Sequence, residues 1–274
     1  PDIMMALFDK MNHQVPLVAK VNPASKYNME DFCRAGGVPQ VMREIASLLH
    51  MDVMTVTGKT LRENLENHPE NHPDRNVIRT MADPFSASGG VAILRGNLAP
   101  EGCVTKPSAI DPSMHVFTGK ARVFDGEEAA EETILSGGIH PGDVLVIRYE
   151  GPKGGPGMRE MYKAMKYIYG VGLAKQTAIV TDGRFSGTNN GCFVGHVSPE
   201  AAEGGIIALV QDGDEITIDI PGGTVTLHVS GEELARRRES WVKPQPKYRK
   251  GYLALYEKLS LIHISEPTRH AQIS

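Results

Sequence analysis

Apolar positions in the early part of the chain recur at the spacing of amphipathic helices. Residues 28–50 predict two helices, since Asn28 can cap the first, two glycines interrupt the pattern, and Pro39 suits the first turn of the second. The second helix is predicted to bury one face, because five apolar residues recur every three or four positions: Val41, Met42, Ile45, Leu48 and Leu49.

A short apolar run and a polar, proline-containing segment come next. Residues 51–56 (MDVMTV) predict a buried strand, and residues 59–67 predict another helix. The order helix, strand, helix is typical of an α/β layer. Residues 67–74 are polar and carry two prolines, so they support neither a helix nor a central strand. We therefore predict a domain boundary near residue 70.

Strand patterns crowd the chain beyond that boundary. Seven apolar runs predict strands: VAILRG, ARVFD, DVLVIRY, QTAIVTD, IIALV, EITIDI and TVTLHVS. The last two alternate apolar and polar residues around a Pro-Gly-Gly turn, which is typical of a β-hairpin. Short helices are predicted near residues 127–135 and 199–203, the second capped by Ser198. The predicted fold class is α/β, in which an α/β segment (1–70) precedes a mostly β, barrel-like domain with flanking helices (71–260).

The composition is that of a folded protein with a mildly acidic charge balance. Of 274 residues 41% are apolar, and 29 basic against 33 acidic side chains give a net charge of −4. Because no long block of lysine or arginine occurs, we expect no binding to nucleic acid or to an anionic membrane. No apolar run approaches the roughly 18 residues of a membrane span. The sequence therefore predicts a cytoplasmic protein.

The cysteines do not predict a disulfide framework. The chain has an odd number of cysteines, Cys33, Cys103 and Cys192, and none of them lies in a CxxC motif. Such a set argues against both disulfide pairing and a closed zinc site. We interpret all three as reduced, structural thiols.

Two glycine-rich loops follow predicted strands and are the candidate reactive segments. DVLVIRY runs into residues 150–161 (EGPKGGPGMREM), and QTAIVTD runs into residues 183–191 (GRFSGTNNG). Loops at strand ends, freed by glycine to take unusual backbone angles, are where rigid scaffolds present reactive groups. The structural alternative is that the glycines only turn the chain. A helix is predicted from Met158 onward, which would place Glu160 in its first turn.

Three familiar motifs are incomplete in this chain. The GKT of residues 58–60 resembles the end of a P-loop, but the position of the required earlier glycine is Val53. The hydrolase GxSxG motif needs glycines two residues before and two residues after the serine, but Ser186 has Arg184 and Thr188 at those positions. His196 and Glu200 are spaced so that they could share a metal, but the proline between them favours a hydrogen-bonded structural histidine.

Several motifs, taken in order, carry a family resemblance. They are GGVPQVM, VMTVTGKTL, LRGNLAPEG, RYEGPKGGPGMREM, TDGRFSG, GHVSPEAAEGG and ELARRR. Together they resemble the carboxy-terminal half of the dihydroxy-acid dehydratase and phosphogluconate dehydratase family. The resemblance implies removal of water from a 2,3-dihydroxy acid to give a 2-keto acid, with an iron-sulfur cluster and Mg²⁺ as cofactors. It also implies that residues 1–70 end an α/β domain and that a β-barrel domain follows.

The resemblance assigns roles to two residues. The serine of TDGRFSG, here Ser186, would take the C2 proton as an alkoxide, which needs cations or N–H groups nearby because a hydroxyl is a weak base. The glutamate of GMREM, here Glu160, would be a Mg²⁺ ligand, since Mg²⁺ prefers carboxylate oxygen. The cluster, expected to be 2Fe-2S, would be bound by cysteines outside this chain. The structural alternatives are a turn-capping serine and a solvated glutamate beside Arg159.

The resemblance leaves the substrate open and indicates an incomplete chain. Family members that act on 2,3-dihydroxy-3-methyl acids in branched-chain amino-acid synthesis often read GRFSGGTRG, whereas this chain reads GRFSGTNNG. A sugar acid, such as an aldonate or 6-phosphogluconate, is therefore the alternative substrate. We expect a homo-oligomer when the protein is complete and, as another possibility, an inactive folded module in isolation. Residues 261–274 do not fit the family, and we interpret them as a non-native tail.

Overall fold

The computed structural model of this chain describes residues 2–22, 24–68, 73–185 and 191–260. These residues cluster into two compact units, of which one is Leu7–Gly90 and the other consists chiefly of the residues from Val91 onward. We call them the small unit and the barrel unit. Within the described ranges, no helix combines the length and the apolar content that crossing a membrane requires.

Two expectations concern segments that the structure does not describe. The boundary predicted at residue 70 falls within residues 69–72, and the interpreted tail is residues 261–274. Both segments lie outside the described residues. Both expectations therefore stay predictions.

Local capping explains where the helices of the first ninety residues begin. The described helices there are α1 (Asp2–Gln14), α2 (Met29–Arg34), α3 (Gly37–Glu44) and α4 (Leu61–Glu66). The Asp31 carboxylate of α2 accepts a hydrogen bond from the Asn28 N–H (2.8 Å). Before α4, the Thr60 hydroxyl accepts from the Glu63 N–H (3.2 Å), and the Glu63 carboxylate accepts from the Thr60 N–H (2.7 Å). These bonds satisfy N–H groups that have no partner inside the helix, and the predicted α2, α3 and α4 are confirmed.

The buried strand predicted at residues 51–56 is wrong. Met54 forms one isolated bridge with Thr60 around a turn at Gly58, whose φ is +73°. Val56 is fully exposed. The apolar run forms one side of a tight turn. Its hydrogen bonds are local, so it adds no strand to a buried sheet.

The apolar stripe predicted for the second helix does not form one buried face. Helix α3 ends at Glu44, and a 3-10 turn (Ala46–Leu48) follows. A 3-10 turn has 3.0 residues per turn instead of 3.6, so the later side chains rotate away from the stripe. Leu48 is exposed as a result, and the buried residue of α3 is the polar Gln40.

The barrel unit contains six of the seven strands predicted for the second part of the chain. Its described strands are β1 (Ala92–Leu94), β2 (Gly102–Thr105), β3 (Val116–Phe124), β4 (Asp143–Ile147), β5 (Glu160–Met161), β6 (Ala178–Thr181), β7 (Arg184–Phe185), β8 (Cys192–Ser198), β9 (Glu215–Asp219) and β10 (Thr224–Leu227). Its described helices are α5 (Glu127–Leu135), α6 (Lys163–Gly170), α7 (Gly231–Ser240) and α8 (Tyr252–Leu259).

Eight of the described strands form one sheet, in the order β1-β2-β8-β6-β4-β3-β9-β10. The pairs among the neighbours β3, β4, β6 and β8 are parallel, and the outer pairs are antiparallel. The two edges meet, since the Arg95 N–H donates to the Gly223 carbonyl (2.9 Å) and the Val225 N–H donates to the Arg95 carbonyl (3.0 Å). The sheet is therefore a nearly closed barrel, and the predicted fold class is confirmed.

The parallel strands are buried on both faces. In β4, Val144 and Val146 belong to the core inside the barrel. Leu145 and Ile147 of the same strand belong to the core beneath α5 and α6. Because successive side chains of a strand point to opposite faces, an unbroken apolar run such as DVLVI is what a strand covered on both sides requires.

One predicted strand and one predicted cap are wrong. Of the IIALV run, Ile206–Leu209 forms a 3-10 turn that is as buried as a central strand. An apolar run this short does not distinguish the two structures. The helix predicted at residues 127–135 is α5, but the one near 199–203 is a single 3-10 turn (Ala201–Glu203). Ser198 does not cap it, because its hydroxyl donates to the Glu101 carboxylate (2.7 Å).

Closure of the barrel depends on the absence of a side chain at Gly96. A Cβ there would overlap the carbonyl oxygen of Val225, a backbone atom of the closing strand. We expect Gly96→Ala to lower the free energy of unfolding by about 2–3 kcal/mol, the cost of overpacking. The measurement is urea unfolding followed by the fluorescence of the single tryptophan, Trp241.

Gly170→Ala is the matched control. No atom lies within 4 Å of a Cβ built at Gly170, which ends α6. Alanine also has a higher helix propensity, by up to about 1 kcal/mol. We expect its urea midpoint to equal or exceed that of the wild type. Equal midpoints for Gly96→Ala and the wild type would contradict the proposed role in closure.

Candidate active site

Loops that follow parallel strands gather at one edge of the barrel. Strands β3, β4 and β6 are adjacent and parallel, so their carboxyl ends lie at the same edge. Strand β4 leads into residues 149–161, which we call the first loop, and β6 leads into residues 182–185, the described start of the second loop. Ligands of α/β proteins bind at this edge of the strands. It is therefore the candidate active site.

Four buried carboxylates surround the first loop, and we call them the carboxylate network: Glu127, Glu150, Asp182 and Glu200. Each of them accepts hydrogen bonds from backbone N–H groups. Burying a charged group is costly unless hydrogen bonds compensate it. The partners of these carboxylates therefore determine where the loop backbone lies.

Asp182 lies directly after β6 and is completely buried. Its carboxylate accepts hydrogen bonds from the N–H groups of Tyr149 (3.1 Å), Glu150 (3.0 Å) and Ala201 (2.8 Å). Burial raises the pKa of this carboxyl group to about 6, although the three N–H groups act in the opposite direction. One side chain therefore joins the end of β6, the start of the first loop and the segment after β8.

Glu200 holds the middle of the first loop. Its carboxylate accepts hydrogen bonds from the N–H groups of Lys153 (3.1 Å) and Gly154 (2.9 Å). Burial, assisted by the neighbouring Asp182 carboxylate, raises the pKa of Glu200 to about 7. The oxygens of the Glu200 carboxylate thus face backbone donors.

Among the described residues no group of three His, Cys, Asp or Glu side chains is arranged to hold a metal ion, so a metal shared between Glu200 and His196 gains no support.

Glu150 and Glu127 carry the network to the far end of the first loop. The Glu150 carboxylate accepts from the Glu127 N–H (2.9 Å). The Glu127 carboxylate in turn accepts from the N–H groups of Lys163 (3.0 Å) and Ala164 (3.2 Å), where α6 begins. Burial raises the pKa of Glu127. Arg159 lies 3.5 Å from the Glu150 carboxylate and partly compensates its charge.

Unusual backbone angles concentrate in the same loops. Among the described residues, the non-glycine residues with positive φ are Tyr149 (64°), Met158 (41°) and His196 (55°). The His196 N–H donates to the carbonyl of Gly183 (2.9 Å), where the second loop begins. A side chain at Gly183 would not fit, since a Cβ there would lie 2.8 Å from the Glu150 Cβ. Strained conformations cost about 1–3 kcal/mol each and persist where surrounding contacts enforce them, often at functional sites.

A short parallel ladder brings the two loops side by side. Strand β5 pairs with β7, so that Glu160 lies opposite Arg184 and Met161 lies opposite Phe185. Phe185 stacks on Phe193 of β8, with 5.3 Å between the ring centroids. The Glu160 and Arg184 side chains stay about half exposed, and Arg184 Nη1 lies 4.0 Å from Glu160 Oε1. A carboxylate and a guanidinium group therefore face solvent together at this edge.

The structure corrects the local setting of Glu160. It lies in β5 and not in the first turn of a helix, because α6 begins only at Lys163. The positive φ of Met158 interrupts any helical path, and the Met158 carbonyl accepts a hydrogen bond from Arg184 Nε. Ser186 lies outside the described residues, two positions after Arg184, so its role stays a prediction.

The Glu160 carboxylate suits one position in a Mg²⁺ shell. Mg²⁺ is bound through one or two carboxylates and keeps several waters. The side chain of Glu160 is half exposed, and its 4.0 Å separation from Arg184 is at the limit of an ion pair. Its oxygens are therefore accessible to a hydrated cation.

The cysteines do not suit an iron-sulfur cluster. Cys103 and Cys192 belong to the core inside the barrel, and burial raises the pKa of each thiol to about 12. Cys33 is exposed and belongs to α2 in the small unit. A cluster is held by thiolates, and buried thiols with such pKa values remain protonated at neutral pH. The described cysteines therefore do not form a cluster site.

The sequence did not single out three polar residues of this edge: Glu150, Asp182 and Arg184. A signal was present, because an acidic residue directly after a fully apolar strand, as at Asp182, has to be compensated when the strand is buried. The compensating partners are backbone N–H groups far along the chain. Composition and periodicity carry no information about such partners.

Two domain families of known proteins match this chain in order. The model of the dihydroxy-acid/6-phosphogluconate dehydratase N-terminal domain matches residues 2–64. The model of the corresponding C-terminal domain matches residues 76–262. The second match alone covers more than half of the chain.

Curated relatives of high similarity are named dihydroxy-acid dehydratases. The protein of Acetivibrio thermocellus is 51% identical over 260 residues, covering 94% of this chain and 47% of the relative. The protein of Methanosarcina barkeri is 51% identical over 253 residues, and that of Aquifex aeolicus is 48% identical over 257; they cover 92% and 93% of this chain and 46% of each relative. The chain thus spans about half the length of the curated relatives that it matches.

Proteins of this name generally depend on a metal or cluster cofactor. The order of the two domain matches and the identity of about one half over nearly the whole chain agree with the motifs found in the sequence. They confirm the predicted resemblance, and the chain belongs to the dihydroxy-acid/6-phosphogluconate dehydratase family.

Proposed function

We propose that the complete protein is a dihydroxy-acid dehydratase, a hydro-lyase that converts 2,3-dihydroxy-3-methyl acids to 2-keto acids in branched-chain amino-acid synthesis. The observation that carries the proposal is the pairing of β5 with β7, which sets Glu160 beside Arg184, two residues before Ser186. The names of the relatives support the same reaction. Because the chain spans about half their length, the activity is proposed for the complete protein.

The proposed reaction releases one water molecule. The C2–H bond and the C3–O bond break, and a C2–C3 double bond forms. A base takes the C2 proton, the C3 hydroxyl group departs, and the base returns its proton to that group, so that one water molecule is released. The resulting enol then moves its hydroxyl proton to C3 and becomes the 2-keto acid. Removing the C2 proton needs a base, and the substrate carboxylate favours an edge that carries positive charge.

We propose that Ser186 is the base that takes the C2 proton. A serine hydroxyl is a weak base, so its alkoxide requires stabilisation by cations or directed N–H groups. Arg184 supplies a guanidinium group at the same edge, two residues earlier in the chain. The Nε–H of Arg184 donates a hydrogen bond to the Met158 carbonyl, which holds the guanidinium group in place.

We propose that Glu160 is a ligand of Mg²⁺. The accessible carboxylate at the site edge supports this role. A bound Mg²⁺ would act as a Lewis acid for substrate oxygen atoms. The chain's own part is to hold the carboxylate, through the β5–β7 ladder, beside the second loop.

We further propose that the complete protein holds an iron-sulfur cluster of the 2Fe-2S type through cysteines outside this chain. The burial of Cys103 and Cys192 in the core inside the barrel supports that placement of the ligands. We also propose that the complete protein is a homo-oligomer that acts on a small-molecule dihydroxy acid. The isolated chain would then be a folded module without activity.

The test of the function is a chimera. This chain is joined to the part of the Acetivibrio thermocellus relative that it does not match, and the product is reconstituted anaerobically with iron, sulfide and Mg²⁺. We expect 2-keto acid from a 2,3-dihydroxy-3-methyl acid, and none from the 274 residues alone. Turnover of an aldonate or 6-phosphogluconate instead would support the sugar-acid alternative. A chimera that binds the cluster and dehydrates neither substrate would contradict the dehydratase proposal.

A further inference from the structure

The carboxylate network connects the start of the first loop to the first residue of α6, which lies two residues after β5. Asp182 accepts from the Glu150 N–H, the Glu150 carboxylate accepts from the Glu127 N–H, and the Glu127 carboxylate accepts from the Lys163 N–H. Lys163 lies three residues after Glu160. The bonds therefore run continuously from the end of β6 to the start of α6, just beyond the loop that carries Glu160.

The network does not have the arrangement of a second metal site. Its oxygens point at backbone N–H groups: Asp182 accepts three and Glu200 accepts two. A cation would have to displace these donors. Among the described residues no cluster of acidic, histidine or cysteine side chains is arranged for metal binding. What the geometry does provide is a rigid attachment of loop backbone to the barrel.

Asp182 also stands where both loops begin. It follows the last residue of β6 and precedes Gly183, after which β7 pairs with β5. The same carboxylate binds the first two residues of the first loop, Tyr149 and Glu150. A shift of Asp182 would therefore move the two partners of the β5–β7 ladder relative to each other.

We propose that Asp182 and Glu200 are positioning residues, which set the Mg²⁺ affinity of the site by fixing the backbone of the loop that presents Glu160. The inference rests on the proposed function for its Mg²⁺ readout, but its backbone readout does not depend on activity. Outer residues that orient a metal ligand change metal affinity by about 10–100-fold when they are replaced.

Asp182→Asn is the first variant. It keeps the size of the side chain but replaces one oxygen by an NH₂ group, which has to face a backbone N–H. The lost hydrogen bond is expected to speed amide exchange in residues 149–161 by about tenfold. Hydrogen exchange of the 274-residue chain, resolved by peptide mass spectrometry, measures this change.

Asp214→Asn is the matched control. Asp214 is a largely buried carboxylate, with a side chain 11% exposed, that accepts from the Gln211 N–H (2.8 Å) and pairs with Arg237 (2.5 Å). None of these partners belongs to the first loop. We expect this variant to lose stability while the exchange of residues 149–161 stays at the wild-type rate.

The second readout is Mg²⁺ itself. In the reconstituted chimera, Asp182→Asn is expected to raise the Mg²⁺ concentration for half-maximal activity by about tenfold or more. Asp214→Asn should leave that concentration unchanged. A purely structural role would lower the amount of folded protein without altering the Mg²⁺ requirement of the folded fraction.

Glu200→Gln keeps the test decisive if Asp182→Asn does not fold. It removes the charge that binds Lys153 and Gly154 and leaves the Asp182 bonds in place. We expect the same faster exchange and higher Mg²⁺ requirement at pH 8, where the Glu200 carboxyl, with a pKa raised to about 7, is ionised.

Failure of the inference and failure of the proposed function are distinguishable. A wild-type chimera without dehydratase activity would count against the function, and the exchange result on the chain would still support or overturn the loop attachment. An active chimera whose variants keep the wild-type Mg²⁺ requirement would overturn the positioning role, whatever the exchange rates, and would leave the function standing.

Discussion

Ser186→Ala in the reconstituted enzyme is expected to lower kcat by about three orders of magnitude or more while Mg²⁺ affinity and cluster absorption stay at wild-type values. The reason is that the change removes the proposed acceptor of the C2 proton, and losing an essential base affects the chemical step directly. Binding groups remain, so KM should change far less than kcat. The measurement is steady-state keto-acid formation together with the visible spectrum.

Ser113→Ala provides the control for this experiment. Ser113 is an exposed serine of the barrel unit whose hydroxyl donates to the Asp111 carboxylate (2.8 Å). It lies before β3, on the amino-terminal side of the parallel strands. We expect wild-type turnover. Near-normal turnover of Ser186→Ala would exclude the base assignment and would favour the alternative in which this serine only caps a turn.

Glu160→Gln is expected to raise the Mg²⁺ concentration for half-maximal activity by about 10–100-fold. Glutamine keeps the size and shape of the side chain but removes the charge that Mg²⁺ prefers. Folding should be unaffected, because β5 pairs with β7 through the backbone and the side chain of Glu160 is half exposed. A Mg²⁺ titration of activity, combined with a melting curve, separates the two effects.

Glu132→Gln is the corresponding control. Glu132 is an exposed glutamate of α5, so the change removes a negative charge from the barrel unit outside the two loops. We expect an unchanged Mg²⁺ titration. If Glu160→Gln also left the titration unchanged, the solvated-glutamate alternative would account for this residue.

Six of the seven predicted strands are present because their positions depend on local pattern, whereas β2, β5, β7 and β8 were not predicted. The unbroken apolar run of β4 indicates burial on both faces, and the hairpin of β9 and β10 is visible in its alternation. The pattern of apolar residues did not predict the structure correctly where a strand and another structure share the same pattern. The run that forms Ile206–Leu209 is apolar and buried but belongs to a 3-10 turn, and residues 51–56 are apolar but exposed. The first run is buried by segments elsewhere in the chain, whereas residues 51–56 form their hydrogen bonds within one local turn.

The setting of Glu160 illustrates the same limit at the site. The sequence indicates a helix because helix-forming residues follow Met158. The left-handed angle at Met158 and the pairing with Arg184 instead place Glu160 in a strand. That pairing joins residues of two different loops, and its stability comes from the burial of Met161 and the stacking of Phe185.

The sequence by itself determined the family, the two glycine-rich loops and the residues proposed for catalysis and Mg²⁺ binding, because motifs and glycine spacing are properties of neighbouring residues. Only the tertiary structure decided which groups hold those loops. Asp182 binds the N–H of Tyr149, 33 residues earlier, and Glu200 binds that of Gly154, 46 residues earlier. Every residue except proline has a backbone N–H, so a carboxylate that accepts from backbone is paired by position in the fold and not by residue type. The identity of the partner residue therefore does not reveal the contact.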